Sequence, residues 1–235
     1  MNATRKIAVT AGVVFIIATV AVLLAGMVVP DLTGADYLTR LSANTNQVAA
    51  GALLFLIAYF ASAGIAVVMY PVMKKWNGGL ALGSVIFRTI EAVFYMVGLV
   101  CLLSLLTISQ RFTATGAFDR TSLQAIGELL LSLRQQAILA AVFAFCLGAF
   151  MYYTLFFQSR LIPRWLAGFG IVAILLMLAA CMLALFSGNL VSSYIPLAFP
   201  IFLQEMVLAV WLIVKGFNPT VSAARSATNP QLSAA

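Results

Sequence analysis

Histidine is missing from this chain altogether, aspartate and glutamate together number six, and charged residues make up only 8% of the 235 positions. Each shortage removes a class of chemistry. Without histidine there can be no H-E-x-x-H zinc motif, no His-ligated haem and no nucleophile–His dyad. The GxGD signature of aspartyl intramembrane proteases is lacking as well. Three cysteines, Cys101, Cys146 and Cys181, stand alone in separate apolar runs. Neither a disulfide framework nor a paired-cysteine redox motif is expected from them, and their reading is packing as small hydrophobes. No metal and no cofactor is expected, and hydrolysis would need an unusual residue set.

Polar surface is the other thing in short supply. Soluble domains carry roughly a quarter charged residues, whereas this chain is 64% hydrophobic with a mean hydropathy of +1.11. The net charge of +7 does not indicate nucleic acid as a partner, because the basic residues sit in pairs at the ends of apolar runs, as membrane topology signals do. The partner implied is the lipid bilayer.

A hydrocarbon core of about 30 Å needs roughly 20 apolar residues in a helix. Six runs meet that length: about Ile7–Val29, Val48–Met73, Leu80–Ile108, Ala137–Phe157, Trp165–Phe186 and Tyr194–Val214. The first follows Arg5 and Lys6 but is longer than a signal-peptide core and lacks a clear A-x-A site, so it reads as a span. Lys and Arg placement then orients the bundle. One side collects Arg5, Lys6, Lys74, Lys75, Arg160, Arg164, Lys215 and Arg225, and the other Arg40, Arg111, Arg120 and Arg134. The fold class expected is therefore an all-α integral membrane bundle of six transmembrane helices, N-in and C-in, in the cytoplasmic (inner) membrane. Residues 1–217 form its transmembrane domain. Residues 218–235 are rich in Ser, Ala and Asn without an apolar period and read as a disordered cytoplasmic tail. Between the third and fourth runs, Leu123, Ile126, Leu130 and Leu133 recur at helical spacing. Residues 122–136 are thus either an amphipathic interfacial helix, with a lid as one use for it, or an outward extension of the fourth span.

Against this background three ionisable residues stand out. Arg88 and Glu91 lie thirteen and sixteen positions beyond Lys75, roughly 20 and 24 Å along a helix. Glu205 lies ten positions before Lys215, roughly 15 Å from the same boundary. All three fall inside the hydrocarbon, where charge is costly and marks function by default. The spacing of three puts Arg88 and Glu91 on one helix face, able to pair. Glu205 must then share Arg88 or keep its proton, since two ionised acids around one arginine leave a net negative charge in a low dielectric. Gln204 sits beside it, and Pro196 and Pro200 lie in the outer half of the same run. Pro200 frees a backbone carbonyl, an arrangement tolerated where it faces protein or a wet cavity. Tyr59, Ser62, Tyr95, Tyr152 and Tyr153 are candidates to line such a cavity. Ser84, four residues before Arg88, is the serine to test as a nucleophile.

Arg88-x-x-Glu91, Ile162-Pro163-Arg164-Trp165 and the run Leu203-Gln204-Glu205-Met206-Val207 through Lys215-Gly216-Phe217 resemble the bacterial "domain of unknown function 4386" membrane proteins. The likeness extends from Arg5 to Phe217 and departs at Arg134-Gln135, where that family often carries Arg-Asp. It implies a compact multi-helix membrane protein and no assigned activity. Two functions lead on the residues alone, with an intramembrane enzyme, for which Ser84 is the serine to test, as a third class. One is a small transporter or ligand-binding membrane protein with a small-molecule or ion ligand held at Arg88, Glu91, Gln204 and Glu205. The other is a structural or regulatory component whose buried charges only fix helix packing.

Overall fold

The computed structural model describes residues 3–114 and 117–218. Among the described residues there is no strand, and the chain runs through seven α-helices: α1 Ala3–Val28, α2 Tyr37–Ala43, α3 Thr45–Met73, α4 Gly78–Ala114, α5 Ala117–Ser159, α6 Arg164–Ser187 and α7 Ile195–Val214, the last preceded by a 3₁₀ turn at Val191–Tyr194. Six helices are long and apolar enough to cross a membrane, namely α1, α3, α4, α5, α6 and the stretch containing α7. Large apolar side chains such as Met27, Phe60, Val100, Phe186 and Ile195 are exposed along them. In water such a surface would drive aggregation; in lipid it is the solvated face. The protein is an all-α, multi-pass membrane protein.

Two connections differ from the sequence expectation. The segment Ser109–Gln136 is not a loop carrying a separate interfacial helix. Instead α4 runs on to Ala114 and α5 begins at Ala117, so of the two expectations for residues 122–136 the extension of the fourth span holds, and among the described residues they form no separate helix. The physical reason is visible in residues 99–114, which contain neither Gly nor Pro. Polar residues past the hydrocarbon do not by themselves stop a helix. At 37 and 43 residues, α4 and α5 are about 55 and 65 Å long, well beyond what a bilayer core requires. The second difference is α2. Its seven residues bury Tyr37, Leu38 and Leu41, a spacing too short to register as a periodic run but enough to turn one apolar face inward.

The chain divides into two compact units, and α1, α3, α4 and α5 contribute to both. Residues 17–60 and 92–141 build one of them. Its core joins Tyr37, Leu38 and Leu41 of α2 to Val48, Phe55 and Tyr59 of α3 and Leu99, Leu102 and Leu105 of α4. Tyr59 and Tyr95 stack with ring centroids 4.8 Å apart and an interplanar angle of 7°. Before α2, the Asp31 carboxylate accepts hydrogen bonds from the Thr33 amide at 3.0 Å and the Thr33 hydroxyl at 2.5 Å. Arg40 closes the same loop by pairing with Asp36 at 2.6 Å and donating to the carbonyl of Thr33.

Residues 3–16, 61–91 and 142–218 belong to the other unit. Here α5 presents Tyr152, Tyr153 and Phe156, all fully buried. Close approach of α6 depends on Gly170, where a Cβ would fall 2.5 to 2.8 Å from the Tyr153 ring. The start of α1 and the end of α7 are fastened to each other in this unit. Arg5 at the start of α1 donates to the carbonyls of Leu212, Ile213 and Val214, at 3.2, 2.6 and 3.1 Å. A cation is favoured there because the last helical turn exposes unpaired carbonyls at the negative end of its dipole. Gly216 ends α7 with φ +76°, and a Cβ on it would lie 2.7 Å from the Arg5 guanidinium. Beyond it Phe217 packs against Phe156 with ring centroids 6.0 Å apart and planes tilted by 48°, and the Asn218 amide donates to the carbonyl of Leu161 at 2.8 Å. The tail expected over 218–235 otherwise lies outside the described residues.

Two outcomes are expected. Arg5→Gln should lower stability by about 1–3 kcal/mol, the range for charged hydrogen bonds, whereas Lys6→Gln, at an exposed position, should change little. Thermal unfolding of the two variants in detergent measures the contrast, and equal losses would refute the clasp. The bonds from Thr33 hold the Asp31 carboxyl below its ordinary value. A group lowered on folding stabilises above its unfolded pKa and ceases to as pH falls through the folded one. Exchange protection of the Thr33 amide should therefore be full near neutrality and decline below about pH 4.

Candidate functional site

The site grows from one helical turn of α4. Arg88 and Glu91, three residues apart, bring Nη1 and Oε2 to 3.0 Å, with both side chains almost wholly buried. Ser62 of α3 serves both partners. Its hydroxyl donates to Glu91 Oε1 at 2.8 Å, and its carbonyl accepts from Arg88 Nη2 at 3.2 Å. On the α5 side the guanidinium lies 4.9 Å from the centre of the Phe145 ring, a cation–π contact strengthened by desolvation. Gly148 makes this approach feasible, because a Cβ there would come within 3.1 Å of Arg88 Cγ and 3.2 Å of its backbone nitrogen.

The network is incompletely satisfied. Although Nη1 and Oε2 are at ion-pair distance, their alignment is not that of a hydrogen bond. Arg88 Nε, Arg88 Nη1 and Glu91 Oε2 are all buried without a hydrogen-bond partner. Unpaired polar atoms at such depth cost on the order of 1–3 kcal/mol each, more when charged.

Helix α7 brings a second pair of polar residues to α5. Gln204, fully buried, accepts a hydrogen bond from the Tyr153 hydroxyl through Oε1 and donates from Nε2 to the carbonyl of Leu166 at 3.2 Å. Next to it Glu205 Oε1 accepts from the Tyr152 hydroxyl at 3.4 Å. Adjacent residues of α7 thus engage adjacent tyrosines of α5. Among the described residues the ion pairs are Arg40–Asp36 and Arg88–Glu91, so Glu205 has a phenol as its partner where the sequence left Arg88 as one option. Arg88 nevertheless acts on it electrostatically.

Of the residues singled out in the sequence, Arg88, Glu91 and Ser62 form one connected network, and Gln204, Glu205, Tyr152 and Tyr153 form another set of contacts in the same unit. Ser84 is buried, with its hydroxyl donated to the Ala81 carbonyl of its own helix at 2.9 Å. Tyr59 and Tyr95 have their described contacts with each other and with Phe55, in the second unit. Sequence reasoning missed Phe145 and Gly148, which look like any aromatic and small residue in an apolar run. It also treated the cysteines singly, whereas the Cys146 and Cys181 thiols, on α5 and α6, lie within hydrogen-bonding reach of each other, both free and buried. A separation of 35 residues gave no local signal of that pairing. Among the described residues no three acidic or thiol side chains converge as metal ligands would.

The model of a family described as "Domain of unknown function (DUF4386)" matches residues 10–216. No curated protein and no solved structure matches the chain.

Removing one member of a buried ion pair strands the other. Arg88→Met should therefore cost about 3–5 kcal/mol, and adding Glu91→Leu to it should restore at least half of that loss. Reversible unfolding in mixed detergent provides the measurement. If single and double variants lose equally, the cost lies in packing around Phe145 and not in the stranded charge.

Proposed function

We propose, for a chain that belongs to the DUF4386 family of domains of unknown function, that the buried polar residues of α3, α4, α5 and α7 bind a small polar or ionic ligand in the membrane. Under this reading the protein is a small transporter or ligand-binding membrane protein, and Glu205 is the group that exchanges a proton or contacts the ligand. The observation that carries it is the set of buried atoms on Arg88 and Glu91 that have no hydrogen-bond partner, two of them in contact only through the ion pair. Two nitrogens and one carboxylate oxygen at membrane depth call for partners that water or a ligand would supply. Glu205 adds to this: among the described residues its hydrogen bond is one long contact from the Tyr152 hydroxyl at 3.4 Å, a weak hold for a carboxylate.

The orientation proposed is both termini on the cytoplasmic side of the inner membrane. Arg5 holding the end of α7 supports placing both chain ends at one face, and the excess of Lys and Arg at that end supports its being cytoplasmic. A second reading is favoured by a specific observation: Arg88 and Glu91 are 2% and 3% exposed and Gln204 is fully enclosed. A cluster this dry suits an architectural role that fixes the register of α3, α4 and α5.

A ligand-stabilisation screen of the purified protein, run in parallel on Glu205→Gln, separates the two. Binding predicts that some compound raises the unfolding temperature of the wild type and loses at least tenfold in potency on the variant. An architectural cluster predicts no response across a broad library, together with a lowered unfolding temperature for the variant.

A further inference from the structure

The turn joining α5 to α6 and the end of α7 border an open cavity of about 560 Å³, lined by Arg160, Arg164, Lys215, Trp211 and residues 161–163 and 216–218. It shares no residue with the Arg88–Glu205 cluster. Three cations line it and no carboxylate does. None of the three forms an ion pair among the described residues, where the pairs are Arg40–Asp36 and Arg88–Glu91. All three are exposed. Arg164 lies over the Phe157 ring at 5.5 Å, which fixes the guanidinium plane while leaving its N–H edge available.

Concentrating like charge around one void is unfavourable unless something anionic occupies it. The backbone points the same way. Arg160 adopts φ +57°, the only residue other than glycine with a positive φ among the described residues. A residue carrying a Cβ is strained in the left-handed region where glycine would not be, so arginine stands here at a conformational cost. Pro163, preceding α6, has no side chain able to cap the helix, leaving the positive end of its dipole uncapped at the cavity wall. Trp165 and Trp211 meet edge to face at 6.4 Å beside it, and paired tryptophans next to basic residues mark headgroup depth.

We propose that this cavity binds an anionic phosphate group, held by Arg160, Arg164 and Lys215. Guanidinium forks match phosphate oxygens in pairs, and basic pockets between membrane helices take anionic headgroups. With three cations and no carboxylate in its lining, the cavity favours a headgroup of net negative charge over a zwitterionic one. The group comes either from an anionic phospholipid or from a free phosphate.

The test uses the full chain purified in detergent. Its unfolding temperature is followed on titration with short-chain phosphatidylglycerol, short-chain phosphatidylcholine, inorganic phosphate and, at matched ionic strength, chloride. Expected is stabilisation by phosphatidylglycerol at a concentration at least tenfold below that of phosphatidylcholine. Response to phosphatidylglycerol alone identifies a lipid headgroup, and response to inorganic phosphate above chloride identifies a free phosphate ligand; either supports the site. In Arg160→Gly the unliganded protein should unfold at the same or a higher temperature, because the strain is relieved, while the midpoint for the active anion shifts at least tenfold. Lys215→Gln should shift it likewise and serves if the first variant fails to fold. Glu205→Gln should leave the titration unchanged, which separates this site from the buried cluster. Equal response to all four additives, or midpoints unmoved in both cavity variants, would overturn the proposal.

Discussion

Everything in the buried cluster follows from the difficulty of keeping Arg88 ionised where water is scarce. An arginine cannot discard its proton to escape the cost, so the surrounding structure must come to it. Glu91 arrives by helical spacing, the carbonyl of Ser62 by the placement of α3, and the face of Phe145 by the approach of α5. Each is a different kind of negative potential: a formal charge, a dipole and a ring quadrupole. The requirement also accounts for Gly148, since a side chain there would take the space that the arginine stem occupies. One charge in α4 therefore constrains residue choice on two further helices.

The anchoring of Gln204 and Glu205 obeys a gentler rule. Their partners are phenols and a backbone carbonyl, groups that can be neutral at both ends. The division leaves a rigid ion pair on α4 and a pair of hydrogen-bonded side chains on α7. Of that pair Glu205 alone carries an exchangeable acidic proton, and its loss or gain strands no obligate cation. That asymmetry explains why Glu205, and not Glu91, is the residue on which a coupling role is placed.

Much of this was legible in the sequence. Composition and run length gave the all-α class and six apolar spans, because the bilayer imposes a length that few other constraints mimic. The Arg88–Glu91 pair was legible because three-residue spacing on a helix is local geometry. What escaped notice was either short or distant. The seven residues of α2 are fewer than two periods of an amphipathic pattern. The continuation of α4 was obscured by polar residues that look like loop although residues 99–114 hold no glycine or proline to end a helix, and that of α5 stood only as one of two readings. Choosing Tyr152 over Arg88 as the group that touches Glu205, or setting Cys146 against Cys181, depends on rotation of one helix about its axis relative to another. No single chain of letters encodes that angle.

The grip of Arg5 on the carbonyls of α7 has a consequence for biogenesis. Its partners lie 207 to 209 positions downstream, among the longest separations available in this chain, so loop closure at that scale comes late. During synthesis α1 enters the membrane while the segment it will clasp does not yet exist. Until the last span is delivered, the guanidinium stays with lipid phosphates and water at the surface. The contact is thus a late-closing latch, formed only once α7 has joined α1.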